Sequence, residues 1–431
     1  MIRHWFSDVP AFRHDPLRLI SERGIGTSQP LVPLALGPRP VMLVRDPAQV
    51  KPLLKLSEEL SDKGRLVQKL RDVLGSSSLT MSGKPHRGRR AVLHERLSRG
   101  IADTYVGEMS ATIRATCLQL STQPNFRADL VGGSLALKLI CIALFGHRVL
   151  TAGDELAVME AVDALEADLQ SEMFRFLPRS PWRRRRELRT RHHALATMEY
   201  IIAKVRQRAR SSSVLTALQD MGLNETELRD EITTMIIAGY HTTGAAIAWL
   251  CHHLCCEHAA VDRIRKEYRS VSDPSGEIVP QQLSGASASL SFVKEVLRLY
   301  PSAWWTTREL KQDHSCDGHR VPKGTTLMFS PWLYHRDPAN FEQPETFSID
   351  RSFAGSCYLP FGAGPRACVG MGVALLELQL IALEFASAFE FESVKPWHTH
   401  RPTPGITLSS PPIEIAIRVR GIERRAFTRA A

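Results

Sequence analysis

The 431-residue chain concentrates its reactive residue types in "LPFGAGPRACVGMGVALLE", residues 359–377. Gly362, Gly364 and Pro365 interrupt regular structure just before Cys368, and the apolar run after it has helical character. The spacing therefore puts Cys368 on a loop that feeds a helix N-terminus. Backbone N–H groups and the positive end of the helix dipole favour negative charge on sulfur there, which means a thiolate. Gly364 and Gly370, without side chains, let a large planar ligand approach the backbone closely. The plainer alternative is a buried structural cysteine in a glycine-rich loop. Cys357, eleven residues upstream, lacks the flanking glycines and arginine and reads as structural.

A second concentration lies in "IIAGYHTTGAAIAWL", residues 236–250, an apolar helical stretch interrupted by Gly239, Tyr240, His241, Thr242 and Thr243. Glycine costs roughly 1 kcal/mol against alanine inside a helix, and threonine hydroxyls bond back to carbonyls one turn earlier. The stretch is built to bend. In "KEVLRLYP", Glu295 and Arg298 stand at i and i+3 on one helix face, a spacing that also describes an ordinary surface pair. In "GKPHRGRRAVL", His86 and Arg90 stand at i and i+4, and in an arginine-rich helix both could be solvated.

Around these residues the 3.6-residue period predicts helices over 101–123, 129–146, 153–172, 187–209, 225–256, 290–299 and 369–389. Short β-rich stretches fall near 31–53, 305–335 and 398–420. The expected fold class is mainly α with a small β-rich region. Polar stretches around 207–213 and 270–289 are short enough to be loops, so residues 1–431 read as a single domain. A composition of 43% apolar and 23% charged residues excludes a disordered or fibrous chain. The N-terminus lacks the apolar core of a leader, and the most apolar run, 130–146, is broken by Lys138. A cytoplasmic protein with no membrane span is expected. Eight cysteines without regular spacing suit a reducing compartment, and a net charge of +10 favours an acidic partner. "CHHLCCEH", residues 251–258, could hold zinc, but it continues the central helix and reads as core. "PWRRRRELRTRHH", residues 181–193, carries arginines all around a helix and reads as a solvated start, not a nucleic-acid or membrane surface.

The pattern Phe361-x-x-Gly364-x-Arg366-x-Cys368-x-Gly370 resembles the haem-ligand signature of the cytochrome P-450 superfamily at all five fixed positions. The resemblance implies that family's fold, with haem b between a long central helix and the cysteine loop. It makes Cys368 the axial ligand of the iron, a thiolate that favours O–O cleavage. Phe361 and Gly370 then contact the cofactor, and His86, Arg90, Arg308 and Arg366 match positions that bind its propionates. Glu295 and Arg298 match a buried structural pair whose third member is the arginine of a P-E-R-F box. "SIDRS" keeps that arginine as Arg351 but lacks the box's proline and phenylalanine.

"AGYHTT", residues 238–243, is similar to the segment that crosses the oxygen-binding face. Gly239 and Thr242 would allow a local opening of the helix where dioxygen and a water are held. His241 stands where the family carries a carboxylate. It could relay protons, or turn aside to a polar substrate or a propionate. Trp304 and Trp305 could be plain core but lie, with Ala238, where the family lines its substrate pocket, as do the loops near 65–82 and 165–182.

The activity implied is hydroxylation of a lipophilic small molecule, terpenoid or fatty-acid-like. Electrons would come from NAD(P)H through a ferredoxin or flavodoxin and its reductase. The protein would be a monomer that binds no nucleic acid. Alternatives on the same fold are a peroxygenase, or an oxidase catalysing coupling, desaturation or rearrangement. A third is a haem sensor without turnover.

Overall fold

The computed structural model describes residues 5–173, 180–354, 357–395 and 400–420. The chain divides into two compact units. The first comprises residues 1–68, 297–368 and 404–408, and the second residues 69–296, 369–403 and 409–431. Each unit is assembled from separated segments, so no linker composition marks a boundary.

The first unit is built on a five-stranded sheet of β1 (Leu31–Leu34), β2 (Val41–Val44), β3 (Ser61–Asp62), β4 (Thr306–Leu310) and β5 (Thr326–Phe329). The strand order is β1-β2-β5-β4-β3. Only the β2–β5 pairing is parallel. Pro33, which cannot donate to a ladder, sits on edge strand β1. A hairpin joins His314–Cys316 to His319–Val321 through Asp317 and Gly318, both at positive φ (49° and 75°), the backbone of a tight two-residue turn. The β-rich stretches end sooner than expected. Residues Pro47–Leu54 are a helix capped by Asp46, whose side chain accepts from the Ala48 N–H at 3.0 Å. Residues Pro331–Tyr334 form a helical turn capped by Ser330.

The second unit is helical. It contains α1 (Gly83–Arg96), α2 (Val106–Leu120), α3 (Ala128–Phe145), α4 (Ala152–Met173), α5 (Pro181–Arg206), α6 (Glu225–Cys256), α7 (His258–Val271) and α8 (Met371–Ala388). A three-stranded antiparallel sheet joins Asn125–Arg127, Glu414–Val419 and Phe389–Ser393. The helix predicted from 101 begins as a short turn, Arg99–Ala102, and a 3-10 turn, Asp103–Tyr105, before α2. Helix α6 starts with a capping box: Asn224 accepts from the Glu227 N–H while Glu227 accepts from the Asn224 N–H. Helices α3 and α8 have the length and apolarity to cross a bilayer, yet 67% and 78% of their residues are buried inside the protein, as in core helices.

Helix α6 is continuous from Glu225 to Cys256. Its glycines serve close packing on α3. A Cβ on Gly132 would stand 2.6 Å from the Gly244 carbonyl oxygen, and one on Gly244 would stand 3.1 Å from the Gly133 Cα. Gly239 belongs to the same seam, because a Cβ there would meet Ile140 Cγ1 at 2.6 Å. Close approach of the α3 backbone at Gly244 and of the Ile140 side chain at Gly239 gives these glycines a packing role.

Candidate functional site

In the first unit the loop leading to Cys368 is held by its own backbone. The Gly362 N–H donates to the Leu359 carbonyl at 3.1 Å, Ala367 to Gly364 at 3.0 Å, and Cys368 to Phe361 at 2.8 Å. Gly364 has φ +73°, and a Cβ there would fall 2.4 Å from the Leu54 carbonyl oxygen. Both strain and space therefore require glycine. The result presents the Cys368 side chain outward, exposed, whereas Cys357 is buried and its thiol is pushed up to about 12 by burial. Phe361 and Gly370 are half-buried. A Cβ on Gly370 would meet no atom within 4 Å, so the backbone there faces open space.

Two arginines predicted as anion ligands lie in the same unit. Arg366 pairs with Glu58 at 2.7 Å. Arg308 is buried, and its guanidinium donates to the Thr307 carbonyl at 2.8 Å and the Thr306 hydroxyl at 3.4 Å. Burial, and then the charge of Arg366, lower Arg308 to about 10. Among the described residues Arg308 meets no carboxylate. A buried cation beside a second cation needs an anion, and a dicarboxylate macrocycle supplies one.

Glu295 and Arg298 are both fully buried on the helix Ser287–Leu299. Arg298 donates to the carbonyls of His335 (2.8 Å), Pro344 (2.5 Å) and Thr346 (3.2 Å). Arg351 donates to Glu342 (2.6 Å), Gln343 (3.3 Å) and the same Thr346 carbonyl (2.9 Å). The two arginines thus meet on one backbone oxygen. His335, which no motif flags, ties this network to the cysteine loop. Its Nε2 accepts from the Leu359 N–H at 2.9 Å, so its Nδ1 carries the proton and donates to the Arg298 carbonyl at 3.0 Å. Burial holds its imidazole neutral, at about 3.

The tryptophans are not the pair expected of a pocket wall. Trp304 is fully buried and its indole N–H donates to the Gly405 carbonyl at 2.9 Å, which makes it core. Trp305 is half-buried against Phe12, with ring centroids 6.2 Å apart.

In the second unit, α6 is buried along most of its length, but Ala238 is exposed and Thr242, one turn on, is half-buried on the same face. The Thr242 hydroxyl donates to the Ala238 carbonyl at 2.5 Å. His241 turns toward α4, where its Nδ1 lies 2.6 Å from Glu166 Oε2. His86 is buried and Arg90 half-buried on α1. Their neighbour Arg89, passed over in the sequence, pairs with Glu227 (2.9 Å) and Glu231 (3.2 Å) of α6. Two thiols of "CHHLCCEH" are core: Cys251 is pushed up to about 12 by burial, and Cys255 donates to the Cys251 carbonyl at 3.3 Å, while Cys256 is half-buried. The exposed arginines and Trp182 open α5. Part of the 165–182 loop, residues 174–179, and residues 398–399 of the last β-rich stretch lie outside the described residues.

No spacing rule could have found Glu58, Arg89, Glu166 or His335. Each partner lies far away in sequence, up to 308 positions for Glu58 and Arg366.

The family model described as "Cytochrome P450" matches residues 25–417. The chain belongs to this family, and it is a haem-dependent monooxygenase. It is 25% identical over 406 residues to cyclooctatin synthase of Streptomyces melanosporofaciens, covering 89% of this chain and 88% of that protein. It is 28% identical to pentalenene oxygenase of Streptomyces avermitilis, covering 79% of each. The crystal structure of CYP175A1 from Thermus thermophilus shares the fold, with a TM-score of 0.77 and 23% identity over 97% of this chain and 98% of that one.

Proposed function

We propose that the protein hydroxylates a lipophilic small molecule, terpenoid or fatty-acid-like, with dioxygen. The observation that carries the site assignment is an exposed Cys368 thiol on a loop whose unit also holds buried Arg308 without a carboxylate. Cys368 would hold haem b through its thiolate, and Arg308, Arg366, His86 and Arg90 would hold its propionates. When bound, haem supplies reductive activation of dioxygen and transfer of one oxygen atom to carbon. Glu295, Arg298, Arg351 and His335 keep the cysteine loop rigid. Exposed Ala238 gives the substrate an apolar surface, and the Thr242 hydroxyl would steady dioxygen and a water. His241 carries protons toward that face.

Electrons come from NAD(P)H through an acidic ferredoxin or flavodoxin with its reductase, which the net charge of +10 would attract. The protein works as a cytoplasmic monomer. Relatives named for pentalenene and cyclooctatin support the lipophilic class.

The test is an optical titration of the purified ferric protein with terpenoids, fatty acids and aromatic compounds. A low-spin to high-spin shift confined to the first two classes, followed by a hydroxylated product, is the expected result. A shift with polar aromatic compounds alone would overturn the substrate class.

A further inference from the structure

Helix α6 turns one imidazole toward α4 and away from solvent. His241 Nδ1 and Glu166 Oε2 are 2.6 Å apart, with only 15% and 21% of the two side chains exposed. An ionised carboxylate only accepts, so this contact requires a proton on Nδ1. The other ring nitrogen, Nε2, is buried and has no hydrogen-bond partner among the described residues. The adjacent Tyr240 bonds to Asp163, one turn before Glu166 on α4, and its ring packs edge-on against His241 at 4.5 Å. Burial raises the Asp163 carboxyl, against the opposing effects of His241 and Tyr240. His241 also lines a cavity of about 150 Å³ with Asp129, Tyr240, Ser409 and Ser410, walled by Gly133 and Gly244. A space of that size holds a few waters with polar partners. The described titratable groups around His241 are therefore Glu166 and Asp163 of α4, Asp129 of α3 and Tyr240 of α6.

Resting on the reading of His241 as a proton carrier, we propose that Glu166 is the positioning residue for that relay. It fixes the imidazole with Nδ1 protonated, which leaves Nε2 as the nitrogen that takes up and gives up the mobile proton. The carboxylate keeps the Nδ1 proton throughout. A proton that Nε2 accepts from one water is donated to another water toward the oxygen-binding face, and the first water is reprotonated from solvent, so no charge accumulates over a cycle. The same carboxylate orients the ring, as acids do for a working histidine.

The experiment compares wild type with Glu166→Ala, Glu166→Gln, His241→Ala and the double variant Glu166→Ala/His241→Ala. Two readouts are taken, after each variant is shown to keep its haem and melting temperature. The first is the tautomer of His241, read by nitrogen-15 NMR in the diamagnetic reduced, carbon monoxide-bound form and assigned by its loss in His241→Ala. The expected result is an Nδ1-protonated ring in wild type and in Glu166→Gln, whose amide oxygen still accepts, and a change of tautomer in Glu166→Ala. The second is the fraction of NAD(P)H electrons recovered in product. It should fall roughly tenfold in His241→Ala and in Glu166→Ala, partly recover in Glu166→Gln, and fall no further in the double variant. If His241→Ala leaves that fraction unchanged, the relay reading itself is wrong and the role of Glu166 goes with it. If His241→Ala uncouples but Glu166→Ala changes neither tautomer nor yield, or the two losses add, His241 works without Glu166 and the proposal is overturned.

Discussion

Gly239 of α6 and Ile140 of α3 fit together so closely that a methyl group on Gly239 would sit 2.6 Å from Ile140 Cγ1 and 2.9 Å from its Cδ1. Gly239→Ala gains about 1 kcal/mol of helix propensity but overpacks a buried contact, at about 1–3 kcal/mol. The expected outcome is a lower melting temperature for Gly239→Ala, and the reverse sign in an Ile140→Ala background, where the space has been vacated. A destabilisation of equal size in both backgrounds would mean that the glycine serves something other than this contact.

The cysteine loop is sensitive in a different way. Gly364 combines φ +73° with a backbone carbonyl, Leu54 O, 2.4 Å from any Cβ, and backbone cannot move aside as a side-chain tip can. Gly364→Ala should lower the haem occupancy of purified protein and destabilise it by about 2 kcal/mol or more in urea unfolding. Unchanged occupancy with unchanged stability would show that the loop tolerates another course.

His335 makes acid stability dependent on one imidazole. Its folded value, about 3, lies below the ordinary 6.5, so the unfolded chain binds a proton that the native protein refuses. The stability His335 lends is fully present above pH 6.5 and drains away as pH falls toward 3. By pH 4 the loss reaches roughly 3 kcal/mol. His335→Gln should be less stable at pH 7.5 but show a shallower fall between pH 6.5 and 4, read from denaturant midpoints. Parallel curves for the two proteins would contradict this.

Glu377 works in the opposite direction. It is buried on α8, and burial alone pushes its carboxyl up to about 8 from 4.5. The unfolded chain releases this proton above pH 4.5 while the native protein retains it until about pH 8, so stability falls as pH rises through that window. Glu377→Gln keeps a neutral group of the same shape. It should be nearly neutral at pH 4.5 and stabilising by roughly 3 kcal/mol at pH 7. Equal melting temperatures at pH 7 would mean that the native carboxylate is ionised and compensated.

The sequence makes the local parts of this protein legible and hides the parts that depend on distant partners. Helix α6 runs over the span its periodicity implies, because an apolar repeat is a local signal. The Cys368 loop is readable for the same reason, since Gly364 and Cys368 lie within one turn-rich decapeptide. Gly239 shows the limit: its type is visible, but the packing it permits depends on Ile140, 99 residues earlier. Trp304 resembles a pocket residue until its indole is found bonded to Gly405. His241 invited two readings because nothing near it in sequence announces Glu166. The division into two units escapes the sequence because each unit is stitched from separate segments.

The central claim is that Cys368, and not buried Cys357, gives the iron its thiolate. The most direct measurement is the absorption spectrum of the reduced, carbon monoxide-bound protein, compared among wild type, Cys368→His and Cys357→Ala. The account predicts the long-wavelength Soret band of a thiolate-ligated haem in wild type and Cys357→Ala. It predicts loss of that band, with haem retained and hydroxylation abolished, in Cys368→His. Persistence of the band and of turnover in Cys368→His, with their loss in Cys357→Ala, would contradict it.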